Sequence, residues 1–450
     1  MKKKIIATFM AFTMTVVALA GCTSGGNKDT EESTSGKEST VDSKSDSSKN
    51  SGSSTFKILS IWSEDVDQGK MLSDLCDRYK EEVNPDFNYE IELVSSGDLN
   101  TKVATLMASN DMPDAFAYVA GQPLTELIQA DKVVNISEEL KKMGVEDKIT
   151  EGTKTLLTGL SSTDDIYDLP LGLNIEGFWY NKEKFEEANV EVPTTWDEFL
   201  AACDTLKAAG IQPLSAGGSD RWPLTRLVNA YVVRTMGVDA VHSAIKGDTS
   251  FTDQGFVDAA QQLLNMAEQG YFGEGVTTVD NTTAGNMVLS GEAAMVYNGS
   301  WFTQDITADT NPAGEEGIGF FSIPVVDESI SSATEIPMNC GNILCLSKDK
   351  YDDDTAQWLK FFVENAGNYG ITEQGQVKGY TYDEAAEVSP INQMVNDAID
   401  QCTLSATWFE AMMNTETSSA AMNNVQTLAN GEMTAEQYMQ SIQDAFELSK

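Results

Sequence analysis

FKILSIWSEDVDQGKMLSDLCDRYKEEVNPDFNYEIELVSS, residues 56–96, reads as strand, helix, strand. Phe56 to Trp62 is rich in β-formers. Val66, Met71, Leu72, Leu75, Cys76 and Tyr79 then recur at helical spacing, and YEIELV (89–94) alternates apolar and polar residues. Leu99 to Ala108 repeats the helical pattern, and Ala115 to Val119 supplies another apolar strand. Strands alternating with helices through short links predict an α/β layer of parallel strands with right-handed crossovers.

Upstream lies a different kind of chain. Lys2, Lys3 and Lys4 precede an apolar run from Ile5 to Ala20, and Leu19-Ala20-Gly21 offers small residues just before Cys22. The run is short for a membrane span and reads as a secretion signal over residues 1–21. Residues 22–55 are dominated by Ser, Thr, Gly, Lys, Asp and Glu. Such a segment buries too little apolar surface to offset its ordering entropy, and reads as a disordered leash with a reach of roughly 30 Å.

Composition excludes several functions. The formal net charge is −41, which opposes binding to nucleic acid and to anionic lipid. His242 is the only histidine, which removes His-cluster zinc chemistry and leaves no plausible nucleophile–histidine pair. Neither a metal site nor a cofactor site is expected. The run Asp352-Asp353-Asp354 lacks calcium-loop spacing and fits the N-terminus of a helix, with Asp354 as the expected cap. Only Arg78, Arg221, Arg226 and Arg234 offer guanidinium groups, so bidentate capture of anions has few possible locations. Cys76, Cys203, Cys340, Cys345 and Cys402 show no C-x-x-C spacing and read mainly as small core residues, their disulfide state left open.

The α/β style continues. Gly177 to Tyr180, Ala293 to Tyr297 and Asn342 to Leu346 read as strands. Thr195-x-x-Glu198 and Thr434-x-x-Gln437 are capping boxes. Trp196 and Trp358 fall on apolar helix faces and Trp179 in a strand, so all are expected in the core.

Several stretches together resemble one family. They are ILSIWSE at the first strand, MPDAF (112–116), LPLGLNIEGFWYNKEKF (169–185) followed by VPTTWDEF, GEAAMVYNGSW (291–301), and LSATWFEAMMN (404–414). In order and spacing the chain resembles the family 1 extracellular solute-binding proteins of carbohydrate ABC importers, the branch related to maltose-binding protein. The likeness covers nearly everything from Phe56 onward. It implies a type II periplasmic-binding fold: two α/β lobes, each a mixed, mostly parallel sheet flanked by helices, with a hinge and an interlobe cleft. The expected division is 56–168 with about 330–381 for one lobe, and 169–329 with about 382–450 for the other. The segment ending in Cys22 resembles a lipobox, which implies a lipidated Cys22 and a chain anchored on the outer face of the bacterial cytoplasmic membrane.

Sugars present C–H faces and hydroxyl rims, which call for flat aromatics and for carboxylate or amide side chains. Trp301 follows Asn298-Gly299-Ser300, read as a small-residue turn that leaves the indole free. Trp222 sits in a glycine-rich loop with Asp220, and Trp62 stands beside Glu64 and Asp65, one of which could instead cap the next helix. Gln122 follows a strand end, and Asn339 and Gly341 precede one, where backbone amides could meet a ligand. The resemblance adds Trp408, Asn174 and Glu176 as cleft-facing positions. The expected partners are a carbohydrate, a permease and the membrane, with no nucleic acid; the chain is expected to act as a monomer.

Two function classes remain open on the sequence. One is a binding protein that hands a sugar to a permease without chemistry; the other is a secreted glycoside hydrolase using paired carboxylates. A binding fold with an amino-acid, peptide or polyamine ligand is a weaker variant. For the anchor, Cys22→Ala is expected to move the protein from the membrane fraction to the soluble fraction with its fold intact; full membrane retention of that variant would contradict the lipobox reading.

Overall fold

A computed structural model describes residues 55–402 and 404–449. The signal expected over 1–21, the lipidation site Cys22 and the leash expected over 22–55, except its last residue, lie outside the described residues.

The first sheet has the order β2-β1-β3-β10-β4, with β1 Phe56–Ser60, β2 Tyr89–Leu93, β3 Ala115–Val119, β4 Leu169–Pro170 and β10 Asn342–Leu346. The opening stretch folds as its pattern predicts: β1 pairs parallel with β2 (Phe56↔Tyr89) and with β3 (Ile58↔Ala115). The intervening helix, Asp67–Glu82, buries Met71, Leu72, Leu75, Cys76 and Tyr79 against the sheet. Its N-cap is Val66 with no side-chain cap, so neither Glu64 nor Asp65 serves that purpose. Asp114 has a structural role, its carboxylate accepting the amide of Lys57 at 2.8 Å.

The second sheet runs β11-β9-β5-β7-β6, with β8 also pairing β5. Its strands are β5 Asn174–Asn181, β6 Gln212–Ser215, β7 Ala293–Gly299, β8 Ile318–Phe321, β9 Glu335–Asn339 and β11 Leu404–Ala406. Parallel pairing is less extensive than the mostly parallel sheets expected. β10, which enters on the return from the second sheet, joins β3 and β4 antiparallel, and β5 is antiparallel to β7, β8 and β9.

Those passages position the site. The chain leaves the first sheet after β4 and enters the second at β5; it returns between β9 and β10. β9 thus lies in the second sheet, and the return falls at Cys340-Gly341, later than the expected bound near 330. A further passage links helix Asp353–Gln374, packed in the first core, to helix Pro390–Gln401, whose Ile391 and Val395 pack under the second sheet. Downstream, Trp408 and Ala411 enter the first core while Phe409 and Met413 enter the second, so one short segment fastens both.

Local chemistry explains the helix ends. Both capping boxes form, at Thr195/Glu198 and Thr434/Gln437. Asp352, not Asp354, caps the long helix, accepting the Thr355 amide at 2.9 Å; Asp353 and Asp354 fall in the first turn, where the helix dipole favours their charge. Trp179, Trp196 and Trp358 are core residues, as are Cys76, Cys203, Cys340 and Cys345, all of them free thiols.

Asp168 lies buried immediately before β4, and its charge acts on the Cys340 thiol and the Tyr380 phenol. The Tyr380 hydroxyl donates to the Pro170 carbonyl at 2.9 Å. Burial pushes the Asp168 carboxyl up from an ordinary value of 3.8 to about 7, against the pull of backbone amides at Tyr167 and Asp168. The native state therefore binds more protons than the unfolded chain between those values, and stability falls as pH rises from about 4 to 7, by up to ~4 kcal/mol. Asp168→Asn should remove this fall, its melting temperature gaining on wild type as pH rises through 7. A constant difference between the two proteins from pH 4.5 to 8 would count against it.

Candidate functional site

β5 and β9 pair inside the second sheet, beside the points where the chain passes to and from the first, with Asn174 opposite Asn339. Two residues along β5, Glu176 lies opposite Gly299 of β7. Alternation on a strand would send Asn174 and Glu176 to one face, and both are buried. The Asn339 amide donates to Glu176 Oε1 at 2.8 Å, while its own Oδ1 accepts the Gly341 amide at 2.8 Å. Gly341 holds φ +63°, so this turn between the sheets is a glycine position, with its amide spent on the turn.

Glu176 is 1% exposed and would be costly there alone. Arg226 answers it, with Nε 3.1 Å from Oε2. The same guanidinium forms an ion pair through Nη1 with Glu410, whose other oxygen accepts the Thr225 hydroxyl. Burial raises the Glu176 pKa, opposed by Arg226 and Asn339; burial also works against the Arg226 cation, but Glu176 and Glu410 outweigh it and hold its pKa above the usual arginine value. The buried Tyr297 phenol, beside Glu176, is pushed well above its ordinary range by burial and by that carboxylate.

Two indoles flank this cation and a third packs on one of them. Arg226 is four residues after Trp222 on helix Trp222–Met236, a spacing that stacks the two on one face. Its guanidinium carbon lies 5.5 Å from the Trp222 ring centre and 5.3 Å from that of Trp408. Trp301 meets Trp222 edge to face, with ring centres 5.8 Å apart and planes at 70°. Trp408 is buried, whereas Trp222 and Trp301 are half-buried and present the aromatic surface.

Trp301 reaches this place by a route different from the flexible turn expected. β7 continues through Asn298 and Gly299, and a 3-10 turn, Ser300–Phe302, follows directly. The indole folds back across Gly299, where a methyl group would fall 2.1 Å from its six-membered ring. Asn298 is fixed as well, its carbonyl accepting the Trp179 indole N–H at 3.0 Å.

The structure thus joins Asn174, Glu176, Trp222, Trp301, Asn339, Gly341 and Trp408 into one neighbourhood, Asn174 through the Ser300 hydroxyl at 3.4 Å. Gln122 is tied to it by its backbone, which donates to the carbonyl of Ala411 at 3.0 Å. Asp220 is exposed, and one oxygen already accepts the Asn281 amide at 2.7 Å. Trp62 is half-buried against the first core, to which Trp408 also belongs, and Glu64 is exposed. Their loop is joined to the Trp301 segment by Gln304, which donates to the Asp65 carbonyl at 2.6 Å and accepts the Asp67 amide at 3.1 Å. Sequence reasoning missed Arg226, Glu410, Tyr297 and Gln304. The signal for Arg226 was its i+4 relation to Trp222, and for Glu410 its place beside Trp408.

Comparison with known proteins agrees with this architecture. The model of the family described as bacterial extracellular solute-binding protein matches residues 62–369. An ABC transporter extracellular-binding protein of Pyrococcus horikoshii is 27% identical over 272 residues, 58% of this chain and 60% of that protein. The multiple sugar-binding protein of Streptococcus mutans is 23% identical over 244 residues, 52% of this chain and 55% of its own length. The chain thus spans little more than half the length of these curated relatives. A solved chitin oligosaccharide binding protein superposes with a TM-score of 0.79 at 24% identity, over 88% of this chain and 98% of that one, a likeness of fold.

The Gly299 contact can be tested directly. Gly299→Ala should drive the Trp301 ring from its seat on Trp222, lowering the near-UV circular dichroism to the level of Trp301→Ala and costing about 1–3 kcal/mol of stability. A wild-type indole spectrum would refute the packing.

Proposed function

Because the chain belongs to the bacterial extracellular solute-binding proteins, we propose that it captures a sugar or oligosaccharide between its two halves and delivers it to an ABC permease. In this reading Cys22 carries the lipid that keeps the body at the outer face of the membrane, and the protein acts as a monomer. The observation that carries the proposal is the half-buried Trp222–Trp301 pair, backed by the Arg226 ion cluster and by the buried Asn174 and Asn339. A flat, rigid aromatic surface suits a pyranose face, and amides suit its hydroxyl rim. Relatives named for multiple sugars and for chitin oligosaccharides support a carbohydrate.

Capture requires no chemistry. A solute touching both halves favours the closed arrangement by its differential contacts. First-half contacts would come from Trp62, Glu64 and Gln122, and second-half contacts from Asp220, Trp222 and Trp301. Glu176, Asn339, Gly341 and Trp408 are proposed to support the surface from behind.

The hydrolase alternative has one point in its favour: the fold does bring two carboxylates together. Yet Glu176 and Glu410 share the Arg226 cation and are both buried. A glycosidase needs one carboxyl protonated and one free on opposite sides of an open bond. The pair is better matched to structural use.

A thermal-shift panel of neutral oligosaccharides, including N-acetylchitotetraose, should identify a ligand through its mass-action stabilisation. Trp301→Ala should then weaken that ligand by about 2 kcal/mol or more, roughly thirtyfold, with the fold retained. Wild-type affinity in titration calorimetry on the folded variant would remove Trp301 from the site.

A further inference from the structure

Resting on the carbohydrate reading, we infer that this site accepts uncharged saccharides and discriminates against those carrying a carboxylate, because the cation at its centre is already neutralised. Arg226 bonds two carboxylates, Glu176 and Glu410, and is flanked by the Trp222 and Trp408 rings. The cluster of three charges therefore carries an excess of negative charge, with the guanidinium already paired through Nε and Nη1.

The other arginines bond groups outside this cluster, although Arg221, exposed and next to Trp222 in sequence, has a neutral partner. Arg78 pairs with Glu373 on the first half. Arg221 donates to Asn423 at 2.8 Å. Arg234 is buried and donates to the Ile323 carbonyl and the Ser331 hydroxyl. Buried Lys378 donates to Gln376 at 2.6 Å and lies near Asp67. The loops that would close over a ligand add Glu64 and Asp220, both exposed carboxylates.

A carboxylate brought against the Trp222–Trp301 surface loses water and meets the excess negative charge of the cluster behind it. A neutral hydroxyl or acetamido group meets the indole faces and amides at no such cost. Capturing a uronate well would require breaking the Arg226–Glu410 pair, leaving Glu410 as an unpaired buried charge.

The test compares three probes that share one oligosaccharide chain. They are N-acetylchitotetraose, the same tetraose oxidised at one primary hydroxyl to a uronic acid, and the methyl ester of that acid. The ester matches the acid in shape and lacks its charge. Titration calorimetry on the full chain at low salt should give similar affinities for the neutral sugar and the ester, and at least tenfold weaker binding of the acid. Raising salt should narrow that gap. Glu410→Gln, which removes one of the two neutralising charges, should narrow it further; should this variant fail to fold, the wild-type gap and its salt dependence carry the test. Acid binding as tight as the ester, or tighter, overturns the inference while leaving the carbohydrate reading intact. Binding of none of the three, with no response to any sugar of the panel, overturns the carbohydrate reading and the inference with it.

Discussion

Arg226 is the group on which the second half of the structure converges. It stands on the first turns of a helix, Glu176 on a central strand, and Glu410 on the segment that fastens the two cores. No one of these side chains is tolerable alone at this depth: a buried charge without its partner costs about 3–5 kcal/mol. Together they fix one arrangement of three elements distant in sequence. The indoles inherit that arrangement, since Trp222 and Trp408 lie against the guanidinium and Trp301 against Trp222. Aromatic surface becomes useful for recognition only when its orientation is set before the ligand arrives.

The same constraint couples the site to the border between the sheets. Asn339 bonds Glu176 and also turns the chain back toward the first sheet through Gly341. Ala411, next to Glu410, receives the amide of Gln122 from the first half. Gln304, three residues beyond Trp301, holds the Asp65–Asp67 loop. Groups beside the proposed sugar surface are thus also the groups that join the halves. A ligand that changes the spacing of the halves would act on contacts one or two residues from the indoles.

Local features of this fold were legible in the sequence. The first strand–helix–strand unit, both capping boxes and the core tryptophans follow from spacing within a dozen residues, where periodicity and capping chemistry act directly. Non-local pairing was not legible. Nothing in EIPMN indicates that it leaves the first sheet for a place beside β5, since Asn339 and Glu176 are 163 residues apart. Asn-Gly-Ser before Trp301 has the composition of a loose turn, yet strand pairing carries through Asn298 and Gly299, and the glycine is used for close contact with the indole. Among the candidate residues, Trp222 and Trp301 stood out by their local glycine- and serine-rich settings, and Trp408 only through the family resemblance. Arg226 and Glu410 were missed because single charges in an acidic chain carry no pattern until the fold pairs them. The return to the first sheet falls after Asn339 rather than near 330 for the same reason: passages between sheets are set by long-range register.

The central claim is that a sugar is held on an aromatic surface oriented by the Arg226 ion cluster and closed over by the other half. A crystal structure of the protein grown with N-acetylchitotetraose, or with the best ligand of the neutral panel, tests it most directly. The account predicts a pyranose ring within about 4 Å of Trp301 or Trp222, the Arg226 pairs intact behind it, and hydroxyls bonded by side chains from both halves. A sugar seated away from both indoles, or bound to one half alone, would contradict it.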